Sequence, residues 1–346
     1  MKLSNKIKFG LLLIGVITAL AGASFPFRAY IWGPYHARQE AMSLPELPAN
    51  LTLKDLGIPD NYAAFNCPDL PVALTPTDLE VQAKSLESAT QRSPADVCAG
   101  NQFREAIRYL GLHNGQYAIR TSSLPSQLAS IAKDPDTIPT EETNSSKIPP
   151  EDLEPVRLFR TLASSSTTNT PETQLQLGLS YVDLMIRQGG REHKARLSTH
   201  AIEALSSALD RQPYMLAALY ARGLNYLYWP IIAGKLSFSI HDLKICIAIS
   251  NLPELKEHPP LVIAEAYRAL GDAYVKLSDS TLDSSTRDAL SKAGRAWWEE
   301  GRQRFGNDRG FNERLGMPLE KLGTYIESVR GLETYINTDL DLLWTR

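Results

Sequence analysis

The sequence predicts an all-α protein, built as a row of stacked helical hairpins. Apolar residues recur at helical spacing almost without a break from about residue 172 to 305. Almost no stretch alternates apolar and polar residues as a half-buried strand would. Prolines, small polar residues and glycines also stand where helices begin and end.

The first element is the segment 1–30. "MKLSNKIK" carries three lysines, and Phe9 to Phe27 then runs nineteen residues without a charge. Two readings fit. A basic start, an apolar middle and the small residues Ala19, Ala21 and Ala23 suit a cleaved secretory signal. An uncleaved single-pass anchor is the favoured reading, because the run nears the roughly 20 residues that span a bilayer core. Tyr30, Trp32 and Tyr35 then stand where an interfacial aromatic belt belongs. Both readings export the bulk of the chain, to the periplasmic side of an inner membrane, with the lysines left inside. No cysteine follows the run, which argues against a lipoprotein.

The net charge of the 346 residues is −3; removing residues 1–23, with Lys2, Lys6 and Lys8 and no acid, leaves −3 − 3 = −6. That balance argues against nucleic acid or an anionic membrane surface as partner.

Residues 31–132 read as a spacer and a small helical region. Ala41 to Pro71 is rich in proline and leucine and is expected to be extended. Thr75, Pro76 and Asp78 form a helix-start signal, followed by Leu79, Ala83 and Leu86 at helical spacing. "SPAD" at 93–96 repeats the signal, with Phe103, Ala106, Ile107 and Leu110 behind it. A helical hairpin over 76–110 and a short helix from Pro125 to Ala132 follow. Cys67 precedes this hairpin and Cys98 lies within it; in an oxidising compartment they are a candidate disulfide that staples the region, against the alternative of two free thiols. Cys246 lies in the apolar "KICIAI" and reads as a buried free thiol. The six histidines show no metal-ligand spacing.

Residues 133–171 are a polar, proline-containing linker with room for one helix over 151–163. Residues 172–306 then contain an internal repeat. "LGLSY", "RGLNY" and "LGDAY" place Gly178, Gly223 and Gly271 three residues before Tyr181, Tyr226 and Tyr274. Each is followed by a second helix with a small–bulky–small pattern. The members are Ala201, Leu205 and Ala208; His241, Ile245 and Ala248; Gly294, Trp298 and Gly301. Pro213, Pro253 and Gly306 stand five residues further on.

These residues resemble the tetratricopeptide repeat family. The resemblance covers residues 172–306. It departs from the family in the gap from the glycine to the first small residue, which runs from 178 to 201, 223 to 241 and 271 to 294 where twelve residues are usual. His241 also replaces a small residue. The resemblance implies a helical solenoid of three hairpins, capped by residues 307–346, in which the first helices line a concave groove that holds a protein segment. In that register Gly223 and Tyr226 pack inside, while Tyr220, Leu224 and Tyr228 face the groove, joined by Arg268 and Asp272. Packing of these aromatics against an extra helix or the C-terminal segment is the alternative.

Behind Pro318, Leu319, Leu322, Ile326 and Val329 make the apolar stripe of a capping helix, and Leu342, Leu343 and Trp344 are expected to dock back on the body.

Catalytic motifs are absent: there is no GxSxG, P-loop, GxGxxG or HExxH. Glu299 and Glu300 are helix neighbours that point apart and read as a solvated face. "RQGGREHKAR" gathers Arg187, Arg191, Lys194 and Arg196 in one loop, which either is solvated or receives an acidic partner. The expected function is therefore that of a non-enzymatic, membrane-anchored scaffold or assembly factor for a cell-envelope complex, with protein partners and no cofactor or metal. The rival readings are an enzyme acting on envelope polysaccharide, and a carrier of a small ligand or lipid in a groove closed by the long insertions.

Overall fold

The computed structural model describes residues 38–60, 62, 67, 70–71, 74–115, 153–186, 191–306, 308–336 and 340. The predicted anchor, the helix at 125–132, most of the linker and the tail after Leu340 lie outside these residues. Among the described residues the secondary structure is helical and none of the helices is long and apolar enough to cross a membrane.

The small N-terminal region is the predicted hairpin, α1 (Pro76–Arg92) and α2 (Val97–His113). The Thr75 hydroxyl accepts from the Asp78 amide while the Asp78 carboxylate accepts from Thr75, closing the capping box that the sequence signals. Asp96 caps α2 through the Ala99 amide. Cys67 and Cys98 are disulfide-bonded, and Cys246 is free and buried. The bond ties the segment before α1 to the first turn of α2. Helix α3 (Glu154–Ser164) packs Val156, Phe159 and Leu162 against this hairpin and against α4 (Pro171–Ile186).

Three antiparallel pairs follow. Helix α4 pairs with α5 (Arg191–Arg211). Next come α6 (Leu216–Leu227) with α7 (Leu236–Ile249), and α9 (Leu261–Asp279) with α10 (Ser284–Phe305). A single turn, α8 (Pro253–Lys256), bridges the last two pairs. Short connections make the partners in each pair antiparallel. The first helices also touch one another, α4 with α6 and α6 with α9, so the pairs form a row. Helix α11 (Arg309–Gly316) then packs on α10, and α12 (Leu319–Ile336) crosses onto α4 and α9.

Glycine sets the spacing within each pair. A Cβ on Gly178 would lie 2.6 Å from Leu205 Cγ, and one on Gly271 would lie 2.1 Å from Trp298 Nε1. A Cβ on Gly294 would meet the Gly271 carbonyl at 2.8 Å. These are the pairings expected for the first and third copies. In the second copy Gly223 faces Leu243 and Asp242 instead of Ile245. The small–bulky–small set there is Ser239, Leu243 and Cys246, all fully buried, two residues upstream of the expected His241, Ile245 and Ala248. His241 is exposed, as a charged-capable ring on the outer face should be. The shift shortens that copy's inserted turn by two residues.

The proline-rich stretch is not a free spacer. Residues 38–60 and Tyr62 lie on the helical pairs, with Ala41, Leu56, Ile58 and Tyr62 buried in the core they share with α6, α7 and α9. Lys244 Nζ donates to the Glu40 carbonyl at 2.7 Å, and Trp297 Nε1 donates to that of Ala41 at 3.2 Å. The Leu216 amide donates to the Leu56 carbonyl at 2.9 Å, and Tyr62 Oη to that of His258 at 2.6 Å. Residues 38–42 form a short helical turn; beyond it Pro45, Pro48 and Pro59 keep the segment from continuing as a helix, and these backbone carbonyls are satisfied by groups of the body.

Candidate functional site: a partner-binding groove

The face formed by α4, α6 and α9 is where the groove is expected. Four sets of interactions fill it from within the chain.

At its C-terminal end, Asp272 on α9 takes a two-pronged contact from Arg314 on α11, Nε to Oδ1 at 2.7 Å and Nη2 to Oδ2 at 2.8 Å. Both side chains are fully buried. Arg314 also donates to the Gly310 carbonyl and lies over the Tyr325 ring. Beside it Arg268 pairs with Glu265 and with Asp308, and its guanidinium covers the Phe311 ring. Arg268 and Asp272 therefore clamp α11 to α9 and do not line an open groove.

Further along, Lys276 Nζ donates to the Leu227 carbonyl at 2.9 Å and to Glu327 of α12 at 2.8 Å. One ammonium thus joins the ends of α6 and α9 to the capping helix. Leu322 and Ile326 of α12 enter the main core.

The aromatic cluster reverses the expected roles. Tyr220 is 1% exposed and Tyr228 7%, and Leu224 is buried with them. Tyr226, expected inside, is half-buried; its ring stacks at 5.5 Å from Phe238 and under Lys235 Nζ at 5.9 Å. Helix α6 is enclosed by α4, α5, α7, α9 and the N-terminal segment, so nearly its whole circumference is apolar contact, and only the Tyr226 side looks outward. Trp229, just past the helix end, donates to Ser198 at 2.8 Å. The expectation of solvent-facing Tyr220, Leu224 and Tyr228 is thus corrected, for the reason the alternative reading named: they pack against other parts of the same chain.

Buried charge fixes the remaining faces. Arg222 holds Asp242 through Nε and Nη2 at 2.8 and 2.9 Å and reaches Ser206 at 3.1 Å, tying α5, α6 and α7. Burial pushes the Asp242 carboxyl above its ordinary pKa, and the Arg222 guanidinium pulls against that shift. Arg104 on α2 contacts Gln176 at 2.7 Å, Asp183 at 2.8 Å and Asn101 at 2.9 Å, which docks α2 on α4. Asn101 Oδ1 also accepts from the Leu340 amide at 3.0 Å, which pins the chain beyond α12 to α2. Arg104, Arg108 and Asp183 line a narrow cleft together with Ile107, Val156 and Leu184.

The residues considered for chemistry are engaged elsewhere. Glu299 pairs with Arg302 at 2.6 Å, whereas Glu300 accepts from Tyr267 at 2.9 Å, so the two carboxylates point apart. Among the described residues no cluster of three or more His, Cys, Asp or Glu could hold a metal. Helix α5 begins inside the basic stretch, at Arg191.

The clamp on Arg268 and Asp272 was not legible from the repeat. The one sequence signal for it is Arg314 itself, an arginine on a helix otherwise set by Phe311 and Leu315, with Asp272 in the buried face of α9 to receive it. No known protein family, curated protein or solved structure matches the chain.

Proposed function

We propose that this chain is an exported, membrane-anchored member of the tetratricopeptide-like class that acts as a scaffold or assembly factor for a cell-envelope complex. Three stacked pairs with glycine-mediated contacts support the repeat reading. The Cys67–Cys98 disulfide supports an oxidising compartment, in line with the apolar run at 9–27. Function rests on fold-level analogy, since scaffolding is what such arrays commonly do.

The single observation that shapes the mechanism is the helix already lying on the expected groove. Helix α12 crosses α4 and α9 as a partner helix would, with an apolar stripe inward and Glu327 on Lys276. A partner segment of the same kind, apolar at i, i+4 and i+7 with an acid beside it, would occupy the face once α12 yields. No cofactor enters this reading.

Photo-crosslinking in membranes tests it. A photoreactive residue in place of Lys276, which α12 covers through Glu327, is expected to capture another protein, more strongly after deletion of residues 319–346, while one in place of the exposed Glu80 on α1 captures none. Adducts only within the chain, with or without α12, would end the groove reading.

A further inference from the structure

The turn between α6 and α7 is built to present apolar side chains to something outside the molecule. Pro230 stops α6, a single 3-10 turn spans Ile231–Ala233, and Gly234 takes the left-handed conformation, φ +65°, before Lys235 leads into α7. This sharp reversal holds Ile232 96% exposed, with Ile231 and Phe238 also outward. Between Arg222 and Asp242 the only fully charged side chain is Lys235. Its ammonium rests over the Tyr226 and Phe238 rings, at 5.9 and 5.7 Å. The neighbouring turn, between α9 and α10, carries Leu282 at 89% exposed. Lys276 joins the C-terminal ends of α6 and α9, so both turns project from the same edge.

We propose that this edge docks on the lipid surface, with Ile231, Ile232, Phe238 and Leu282 entering the interfacial region of a bilayer. Two branched aliphatic tips, with Trp229, Tyr226 and a lysine around them, are the side-chain types that sit at that depth. Lys235 is placed to snorkel, its stem along apolar surface and its charge toward headgroups. The tether argues for the same occupant and rests on the anchor reading. Ten residues, 28–37, separate the apolar run from the first described residue, a reach of at most roughly 40 Å. A body held that close meets the bilayer at high effective concentration, so a small apolar contact suffices. Asp279 and Asp283 stand by Leu282 and offset Lys235. Attraction to anionic lipid is therefore not part of the contact.

The full chain is reconstituted in phosphatidylcholine nanodiscs with an environment-sensitive fluorophore on Ile232→Cys, Leu282→Cys or, as a control on α1, Val81→Cys. Brominated lipid is expected to quench the probes at 232 and 282 at least twofold and the probe at 81 not at all. Replacing a third of the lipid with phosphatidylglycerol should change neither result. No quenching at 232 in a chain that retains residues 1–30 overturns the proposal and leaves the anchor intact. If N-terminal sequencing instead shows a start at Gly22 or Ser24, the anchor reading fails by itself. The mature chain is then floated with phosphatidylcholine vesicles. Loss of flotation by about tenfold on Ile231→Asp with Ile232→Asp, at unchanged circular dichroism, supports docking, and absence of any flotation overturns it. A photo-adduct from position 232 to another protein, without quenching, makes the edge a protein interface and also overturns it.

Discussion

Among the described glycines, Gly271 leaves the least room for a side chain. Its missing Cβ leaves room for the Trp298 indole, whose Nε1 donates to the Arg268 carbonyl at 3.0 Å. A methyl there would need the indole or the backbone to move, and overpacking of that kind costs about 1–3 kcal/mol. Gly271→Ala is therefore expected to lower the melting temperature clearly. Gly316→Ala, where a Cβ meets nothing within 4 Å, should leave it within experimental error. The tyrosines of α6 give a second prediction at this scale. Tyr220→Ala removes an enclosed ring and should cost about 3–5 kcal/mol, as other buried aromatic truncations do. Tyr228→Ala should fall near that range, whereas Tyr226→Ala, at a half-buried site, should cost markedly less. Chemical denaturation of the three variants gives the order. A Tyr226→Ala cost equal to that of Tyr220→Ala would contradict the packing described.

Elements are held to one another here by arginine–carboxylate pairs across helix boundaries more than by loops. The Asp272–Arg314 pair is the clearest case, because α11 has only eight residues and little apolar surface of its own. Asp272→Ala leaves a guanidinium in the core without its carboxylate, a change that costs about 3–5 kcal/mol. Hydrogen exchange should show α11 and α12 opening first in that variant. The double change Asp272→Leu with Arg314→Met is expected to recover much of the loss, since an apolar pair of similar volume avoids the desolvation of two ions. Failure of the double variant to improve on the single one would mean that the charge pair supplies more than it costs.

Across the whole molecule, the two ends of the chain close over the row of pairs. The N-terminal segment docks through Lys244, Trp297 and Tyr62, and the C-terminal helix through Lys276 and the Asp272 clamp. Lys244 makes this closure sensitive to pH. Burial lowers its pKa to about 8, from an ordinary value of 10.5, with only Glu40 opposing the shift. Between those two values the unfolded chain binds more protons than the folded one, so folding stability rises with pH. Below about pH 8 the lysine is protonated in both states, its contribution is constant, and the native state carries the cost of a buried charge. The gain across the window is at most about 3 kcal/mol. Denaturation of the parent chain and of Lys244→Met from pH 7 to 10.5 checks this: the parent should gain stability relative to the variant as pH rises, and a constant difference would refute it.

The sequence by itself determined the all-helical character, the starts of α1 and α2 and the disulfide candidate, but not α11 or the helical residues 38–42. Those features are local: a Thr75–Asp78 box, a Pro-led first turn and a 3.6-residue stripe act within a few residues of themselves. It also determined two of the three glycine registers, because Gly178 and Gly271 are followed by unmistakable small–bulky–small patterns. It missed the register of the second copy, where "SFSIHDLKICIAI" is apolar on nearly every face and periodicity carries little phase information. Only the tertiary structure decided that Tyr220 and Tyr228 are interior, that Arg268 and Asp272 serve a clamp, and that the proline-rich stretch is a strap on the body. An apolar stripe states that a face is covered and is silent on what covers it. In this chain the cover comes from segments far away in sequence, residues 38–60 and 309–336, whose docking depends on three-dimensional proximity that no local pattern encodes.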